Sequence, residues 1–380
     1  MAGERGNRLL RVIDKWVGIP LIVTAGLLRR RRKPPASLRR VGVLCLGCIG
    51  DLILLSGPIA DLLAAHPDVR LTIFCSGPNQ EIAHMIIGAA EVVVLPVKRP
   101  WEAVRLVRAS GRFDAWIDSG QWPRLNALLS FAARSAFTVG FRSPGQHRHY
   151  VYDAVASHLR TRHELENFRA LTAALSVPGR SLPALAPRPK ALAELPGGVL
   201  PQGPYAVLHL FPGGYRAGMK QWPLERWAEV AAELTGRGLF VLLSGGPADA
   251  PQAEALVRKL ASPRIQSIAG DSLSTTGAML AFAALVVSVN TGIMHLAAAL
   301  GAPLIALNGP TSVDRWGPVT LPGGGEALCS GRACAPCLHL GFEYACEMGG
   351  CMADIGVADV LAAADRLLAA TGGGAAEAAD

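Results

Sequence analysis

The residues best suited to chemistry are an aspartate behind one glycine turn and, far along the chain, a lysine, a threonine and a histidine behind others. The first group is Leu46-Gly47-Cys48-Ile49-Gly50-Asp51. Gly47 and Gly50 let the backbone turn sharply and come close to a ligand. Asp51 falls where an apolar helix begins, so it either caps that helix or takes a proton from a bound hydroxyl. Spacing alone leaves both open. The dinucleotide fingerprint G-x-G-x-x-G is absent, which disfavours a Rossmann dehydrogenase.

The second group comprises three segments. Phe211-Pro212-Gly213-Gly214 precedes Lys220-Gln221-Trp222-Pro223, and Ser244-Gly245-Gly246-Pro247 follows later. The third is Asn290-Thr291-Gly292-Ile293-Met294-His295. Taken singly, each has a plain reading: a solvated lysine, turn glycines, a helix histidine. Taken together, each sits between a strand and a helix. Amides at a helix N-terminus, with Thr291 and Lys220, make a cradle for a diphosphate. Asp118 also follows a strand and reads as structural.

Positioning such loops requires alternating strands and helices. Apolar runs at Val41–Leu46, Arg70–Cys75, Glu91–Pro96, Phe113–Ile117 and Ala136–Val139 read as strands, with helices near Asp51, Asn79, Trp101 and Arg124. After the proline-rich stretch 178–204 the rhythm restarts, with strands at Tyr205–Leu210, Leu239–Leu243, Leu285–Val289 and Pro303–Leu307. Nearly continuous apolar strands joined by helices imply parallel sheets covered on both faces. The expectation is α/β: two doubly wound Rossmann-like domains, 41–177 and 205–370, facing across a cleft, with 178–204 as linker and 371–380 as a frayed tail.

Charge is distributed unevenly. The chain carries a net +8, yet its first forty residues hold eleven Lys/Arg against Glu4 and Asp14 alone. The remainder is close to neutral, which argues against a nucleic-acid-binding globule. Leu9, Val12, Ile13, Trp16 and Val17 recur at helical spacing, an uncharged stretch runs from Trp16 to Leu28, and Arg29 to Lys33 follow as a basic run. A spanning helix needs roughly 20 apolar residues. A signal peptide is a rival, but arginines after the apolar core are unfavourable for export. Residues 1–40 are therefore read as a basic amphipathic arm lying on an anionic membrane surface.

The motifs together resemble glycosyltransferase family nine, the ADP-heptose:lipopolysaccharide heptosyltransferases and their relatives. The resemblance rests on Leu46–Asp51, Pro212–Pro223, Gly245-Gly246-Pro247, Asn290–Ala297 and Gly309–Pro318, and it covers about Val41 to Leu368. It implies a GT-B fold, an inverting transfer, no obligatory metal and no cofactor. In that family the aspartate matching Asp51 is the proposed base, and positions matching Lys220, Thr291, Gly292 and His295 contact the donor. The loops add Gly47, Gly50, Gly213, Gly246 and Asn290 on the donor side, while Arg124, Arg142 and His163 are read as lining the acceptor side. The implied partners are a nucleotide-sugar donor, ADP-heptose, and a lipid-linked glycan acceptor, handled on the cytoplasmic face of a bacterial inner membrane. Two departures stand out. Cys48 replaces a second glycine common in the first loop, and Asn290 stands where lipopolysaccharide-core heptosyltransferases often carry Asp.

Five of the eight cysteines, Cys329, Cys334, Cys337, Cys346 and Cys351, crowd towards the C-terminus. Structural zinc, a partial disulfide and free thiols are all open there. Two other functions compete with transfer. A GT-B sugar-nucleotide epimerase needs no acceptor, so a membrane arm counts against it. A non-catalytic envelope-assembly protein would not need Asp51 and Lys220 together.

Overall fold

The computed structural model describes residues 8–187, 201–214, 217–320, 324–338 and 350–377. The chain divides into two compact units, Met1–Ala184 and Leu185–Asp380, so the break falls inside the proline-rich stretch.

In the first unit the strands are β1 (Arg40–Cys45), β2 (Arg70–Cys75), β3 (Ala89–Val94), β4 (Arg112–Asp118), β5 (Arg134–Arg142) and β6 (Ala154–Ser157). They lie in the order β3-β2-β1-β4-β5-β6, and every pair is parallel. The helices are α1 (Arg8–Trp16), α2 (Gly18–Leu27), α3 (Ile49–Ala65), α4 (Gln80–Ala83), α5 (Pro100–Ala109), α6 (Arg124–Ala132) and α7 (Glu164–Ala173). Val41, Val43, Leu44 and Cys45 of β1 are all buried, as a central strand covered on both faces requires. An aromatic cluster of Phe74, Phe113 and Trp116 packs with ring centroids 4.7–5.8 Å apart. Trp116 donates its indole N–H to Ser130 Oγ at 3.0 Å, so the ring is buried without an orphaned donor.

The second unit repeats this order. Its strands are β7 (Tyr205–His209), β8 (Phe240–Ser244), β9 (Ile265–Ser267), β10 (Leu285–Val289), β11 (Leu304–Asn308) and β12 (Gly325–Cys329). They form a second parallel sheet, β12-β11-β10-β7-β8-β9. Its helices are α8 (Leu224–Gly236), α9 (Ala250–Leu260), α10 (Leu273–Ala281), α11 (Gly292–Ala299), α12 (Val313–Trp316) and α13 (Val357–Glu377). Trp222 and Trp227 meet edge to face in its core, centroids 5.0 Å apart. Counted from its own first strand, each sheet runs 3-2-1-4-5-6, the doubly wound order. Ligands bind such sheets outside the carboxyl ends of the strands, where the winding reverses. That point lies between β1 and β4 in one unit and between β7 and β10 in the other.

Three strands escape a reading by apolar runs: β6, β9 and β12. All end their sheets, are three to five residues long, and keep only one or two residues fully buried between them. Helix α13 extends to Glu377, into the stretch expected to fray.

The N-terminal basic segment, expected as an arm on a membrane surface, is packed on its own unit. Helices α1 and α2 run on from one another through the single helical residue Val17 and form a bent segment docked on α6 and on the short helical turn Arg148–Val151. Ile22 and Ala25 are buried against Ala127, Val151 and Tyr152. At Gly26 any Cβ would fall 2.6 Å from that of Tyr150, so the close approach needs glycine. Polar ties complete the docking. Asp14 accepts from Arg124 Nη1 at 2.6 Å, and Arg29 and Arg32 both reach the buried Asp153 carboxylate, at 2.5 and 3.1 Å. These bonds to Arg29 and Arg32 hold the Asp153 carboxyl below its ordinary range against the opposing effect of burial. Among the described residues no helix is long and apolar enough to cross a membrane.

Candidate active site

In the first unit the site is built at the end of β1. The chain leaves Cys45, turns through Gly47 and enters α3, with Cys48 as N-cap. Asp51 is the third residue of that helix. Its Oδ2 accepts the backbone N–H of Cys48 at 3.0 Å, completing a capping box. Thus one carboxylate oxygen organises the turn. A Cβ at Gly47 would collide with this carboxylate, which explains the glycine. Buried Asn79, at the start of α4, donates from Nδ2 to the carbonyls of Gly47 and Cys45 at 3.0 and 3.3 Å. It pins the loop from the β2 side. Burial, followed by the charge of Asp51, pushes the Cys45 thiol up to about 12. The carboxylate therefore faces the strand end.

Beside it, at the end of β4, Asp118 is fully buried. It accepts from Arg148 Nη2 at 2.8 Å, Tyr152 OH at 2.5 Å, Ser130 Oγ at 3.1 Å and the Gly120 amide at 2.8 Å. Those bonds make it a structural anchor for the β4 loop. The next residues carry a second buried network: Glu164 accepts from Gln121 Nε2 at 2.7 Å and lies 2.8 Å from His158 Nε2, while Asn167 Nδ2 reaches its other oxygen at 3.2 Å.

The three acceptor-side candidates part company. Arg124 is buried and spent on Asp14 and on the Gly145 carbonyl at 3.2 Å, so it ties the α1–α2 segment down and is withdrawn as an acceptor contact. His163 caps α7, its Nδ1 accepting from the Leu165 amide at 3.2 Å. Arg142, the last residue of β5, is exposed at the carboxyl edge of the sheet.

In the second unit the loops gather at β7, β8 and β10. Lys220 donates to the Gly213 carbonyl at 2.9 Å and so arches back over the turn that follows β7; Gly214 in that turn has φ +87°. After β8, the Gly246 amide is already bonded to Asp249 Oδ2 at 2.8 Å, leaving the loop's shape, rather than that donor, to serve a ligand. After β10, Thr291 is the N-cap of α11, yet its Oγ1 is buried with no hydrogen-bond partner. His295 is buried one turn further on. Asn290 spends both amide hydrogens, on Asn308 Oδ1 at 2.7 Å and on the Trp316 carbonyl at 2.9 Å. It stitches the ends of β10 and β11 to α12.

Sequence reasoning missed Asn79, Asn308 and the Gln121–Glu164–His158 network. Each acts through a contact with a residue 18 to 43 positions away, for which the local pattern carries no signal. Cys346 lies outside the described residues; no disulfide joins any two of the described cysteines, and no group of metal-ligating side chains occurs among the described residues.

Residues 109–345 match the family model described as glycosyltransferase family 9 (heptosyltransferase). The chain belongs to glycosyltransferase family 9. Its relatives include lipopolysaccharide heptosyltransferase 2 of Salmonella typhimurium, 33% identical over 113 residues, which is 29% of this chain and 32% of that protein. The match thus spans about a third of the curated relative's length. Among solved structures, Escherichia coli ADP-heptose lps heptosyltransferase II superposes with a TM-score of 0.72 at 20% identity, covering 87% of this chain and 99% of that one. E. coli heptosyltransferase WaaC with ADP gives 0.68 at 22% identity, covering 86% and 99%. These likenesses establish the GT-B fold. In this family 9 chain the glycine turn before Asp51 and the Lys220 loop follow the first strands of their respective units, and Thr291 follows β10, the neighbour of β7.

Proposed function

We propose that the chain transfers a heptose, with inversion and without a metal, from ADP-heptose to a lipid-linked envelope glycan. The observation that carries this reading is the buried, unpartnered Thr291 hydroxyl at the N-terminus of α11, on the strand next to the turn that Lys220 overarches. A helix N-terminus with a hydroxyl to spare and a nearby ammonium suits an anionic diphosphate. The names of the family 9 relatives supply the sugar, and the ADP of one solved relative supplies the nucleotide.

In this reading Asp51 takes the proton of the acceptor hydroxyl, whose oxygen forms the new bond to the sugar's anomeric carbon. The bond from that carbon to the diphosphate oxygen breaks, and its electron pair leaves with ADP. Lys220 and the amides around Thr291 and Gly292 hold the departing charge, a preorganised electrostatic contribution. The donor is cytoplasmic, so the enzyme acts on the inner face of the membrane that presents its acceptor.

The test is ADP release from ADP-heptose, with and without a solubilised lipid-linked acceptor, in EDTA, together with the anomeric configuration of the product. Acceptor-dependent release that survives chelation and inverts configuration is expected. Asp51→Asn keeps an oxygen for the Cys48 amide, so it should fold and bind ADP while turnover falls by about 10²–10⁴-fold. Release that is indifferent to acceptor, or near-normal turnover in the variant, contradicts the reading.

A further inference from the structure

Fifteen large apolar side chains are exposed among the described residues, and eight of them lie between Val12 and Leu28 on the α1–α2 segment. Leu27, Leu28 and Trp16 are 83%, 78% and 71% exposed. Folded proteins rarely concentrate apolar surface in this way unless something covers it. The segment has already buried its inner side on α6, through Ile22 and Ala25, so the outward side has no remaining partner among the described residues of its unit.

The surroundings of this patch are basic. Asp14 is turned towards Arg124, and no acidic residue follows it before Arg40. Arg29 and Arg32 are committed to Asp153, whereas Lys15, Arg30, Arg31 and Lys33 are exposed. Burial, then the positive charges of Arg142, His147 and Arg31, keeps the pKa of His149 below its ordinary value, so positive groups continue past Tyr150. A self-complementary dimer through the patch would set basic run against basic run, which is costly. An anionic bilayer surface complements both features: headgroups for the cations, and the interfacial region for leucine and tryptophan.

We propose that the α1–α2 segment is a rigid membrane platform that sinks its outer apolar face into an anionic leaflet while staying docked on the first unit. Its contacts with α6 and with the Arg148–Val151 turn hold it along the surface of that unit, so it lies in the interface rather than crosses it. Docking also sets orientation. Asp14 grips the first residue of α6, just past the carboxyl end of β4, and β4 is the neighbour of β1. The leaflet is thereby held beside the strand edge that bears Asp51. This role rests on the reading of the acceptor as lipid-linked.

The experiment uses the full chain with phosphatidylcholine vesicles, with and without phosphatidylglycerol. Wild type should co-sediment with the anionic vesicles. Replacing Arg30, Arg31 and Lys33 by Gln should lower partitioning by roughly 10²-fold, since each cation on such a surface contributes roughly fivefold. The combined Trp16→Ser, Leu27→Ser and Leu28→Ser variant should lose the salt-resistant fraction while melting as wild type, because those side chains are exposed. Brominated lipid should quench the intrinsic fluorescence of wild type but not of Trp16→Phe, which keeps the 86% exposed Trp101 as an internal control. Unaltered partitioning of both variants, quenching that persists in Trp16→Phe, or a wild-type dimer that dissociates in the Trp16 variant would each overturn the proposal. Transfer to a detergent-solubilised acceptor reports separately on the catalytic reading: intact transfer without vesicle binding removes the platform alone, and vesicle binding without transfer removes the chemistry alone.

Discussion

Asn290→Asp should be far from conservative in this chain. Asn308 Nδ2 donates to the Ala306 carbonyl at 3.0 Å, so its Oδ1 must be the atom facing Asn290. The Asn290 amide therefore donates twice, at 2.7 and 2.9 Å, to groups that can only accept. A carboxylate has no hydrogen to offer either of them. The Asn308 oxygen is buried, and leaving it unsatisfied predicts a loss of about 1–3 kcal/mol. For a unit of this size that lowers the melting temperature by roughly 2–12 °C. The lone pairs facing it raise the folded-state pKa of the new carboxyl above the ordinary value of about 3.9. Below that value the group is protonated in both states and an O–H can replace one lost donor, so the deficit is smallest there. It widens as pH rises and the unfolded state gives up its proton first. Thermal melts of wild type and variant across this range provide the assay. A variant that melts within about a degree of wild type at neutral pH, or a deficit independent of pH, would refute the assigned hydrogen bonds.

Lys220→Ala should weaken ADP binding while leaving adenosine binding unchanged, because a lysine over a glycine turn contributes charge rather than packing; calorimetry with both ligands distinguishes these, and equal losses would place the lysine away from the diphosphate. His209, buried at the end of β7 with Nδ1 3.1 Å from Ser244 Oγ, is pushed down to about 4 by burial. Its neutral form stabilises the fold fully above the unfolded histidine's pKa of about 6.5, and this contribution, about 3 kcal/mol, is lost as pH falls towards 4. His209→Gln should accordingly flatten the acid limb of a stability profile; an unchanged limb would assign the acid sensitivity to other groups.

Much of the fold is legible in local pattern. Arg70–Cys75 and Leu285–Val289 coincide with β2 and β10 because inner parallel strands are covered on both faces and so are mostly apolar. The edge strands β6, β9 and β12 bury too little to announce themselves. For the site, the turns of Gly47, Gly213 and Gly292 can be read because glycine beside a polar residue at a strand end is a local signal. What each polar group is already doing cannot be read this way. Arg124 looks available until Asp14 arrives from 110 positions earlier, and Gly246 looks like a donor until Asp249 takes its hydrogen. Asn79 illustrates the converse: an unremarkable helix-start residue becomes the clamp on the Asp51 loop only once β2 lies beside β1.

The docked N-terminal segment has a consequence for biosynthesis. Its anchoring partners, Arg124 and Asp153, lie 110 and 124 residues further along the chain than Asp14 and Arg29. At about 5–20 residues per second, a ribosome needs roughly 5–25 s to make them. During that interval Ile22 lacks the α6 surface it packs on in the folded unit, and the nascent segment exposes its inner as well as its outer apolar side. Under the proposed membrane role, a leaflet would meet the segment before the sheet of its own unit exists, and the first unit would complete itself on a segment already in place.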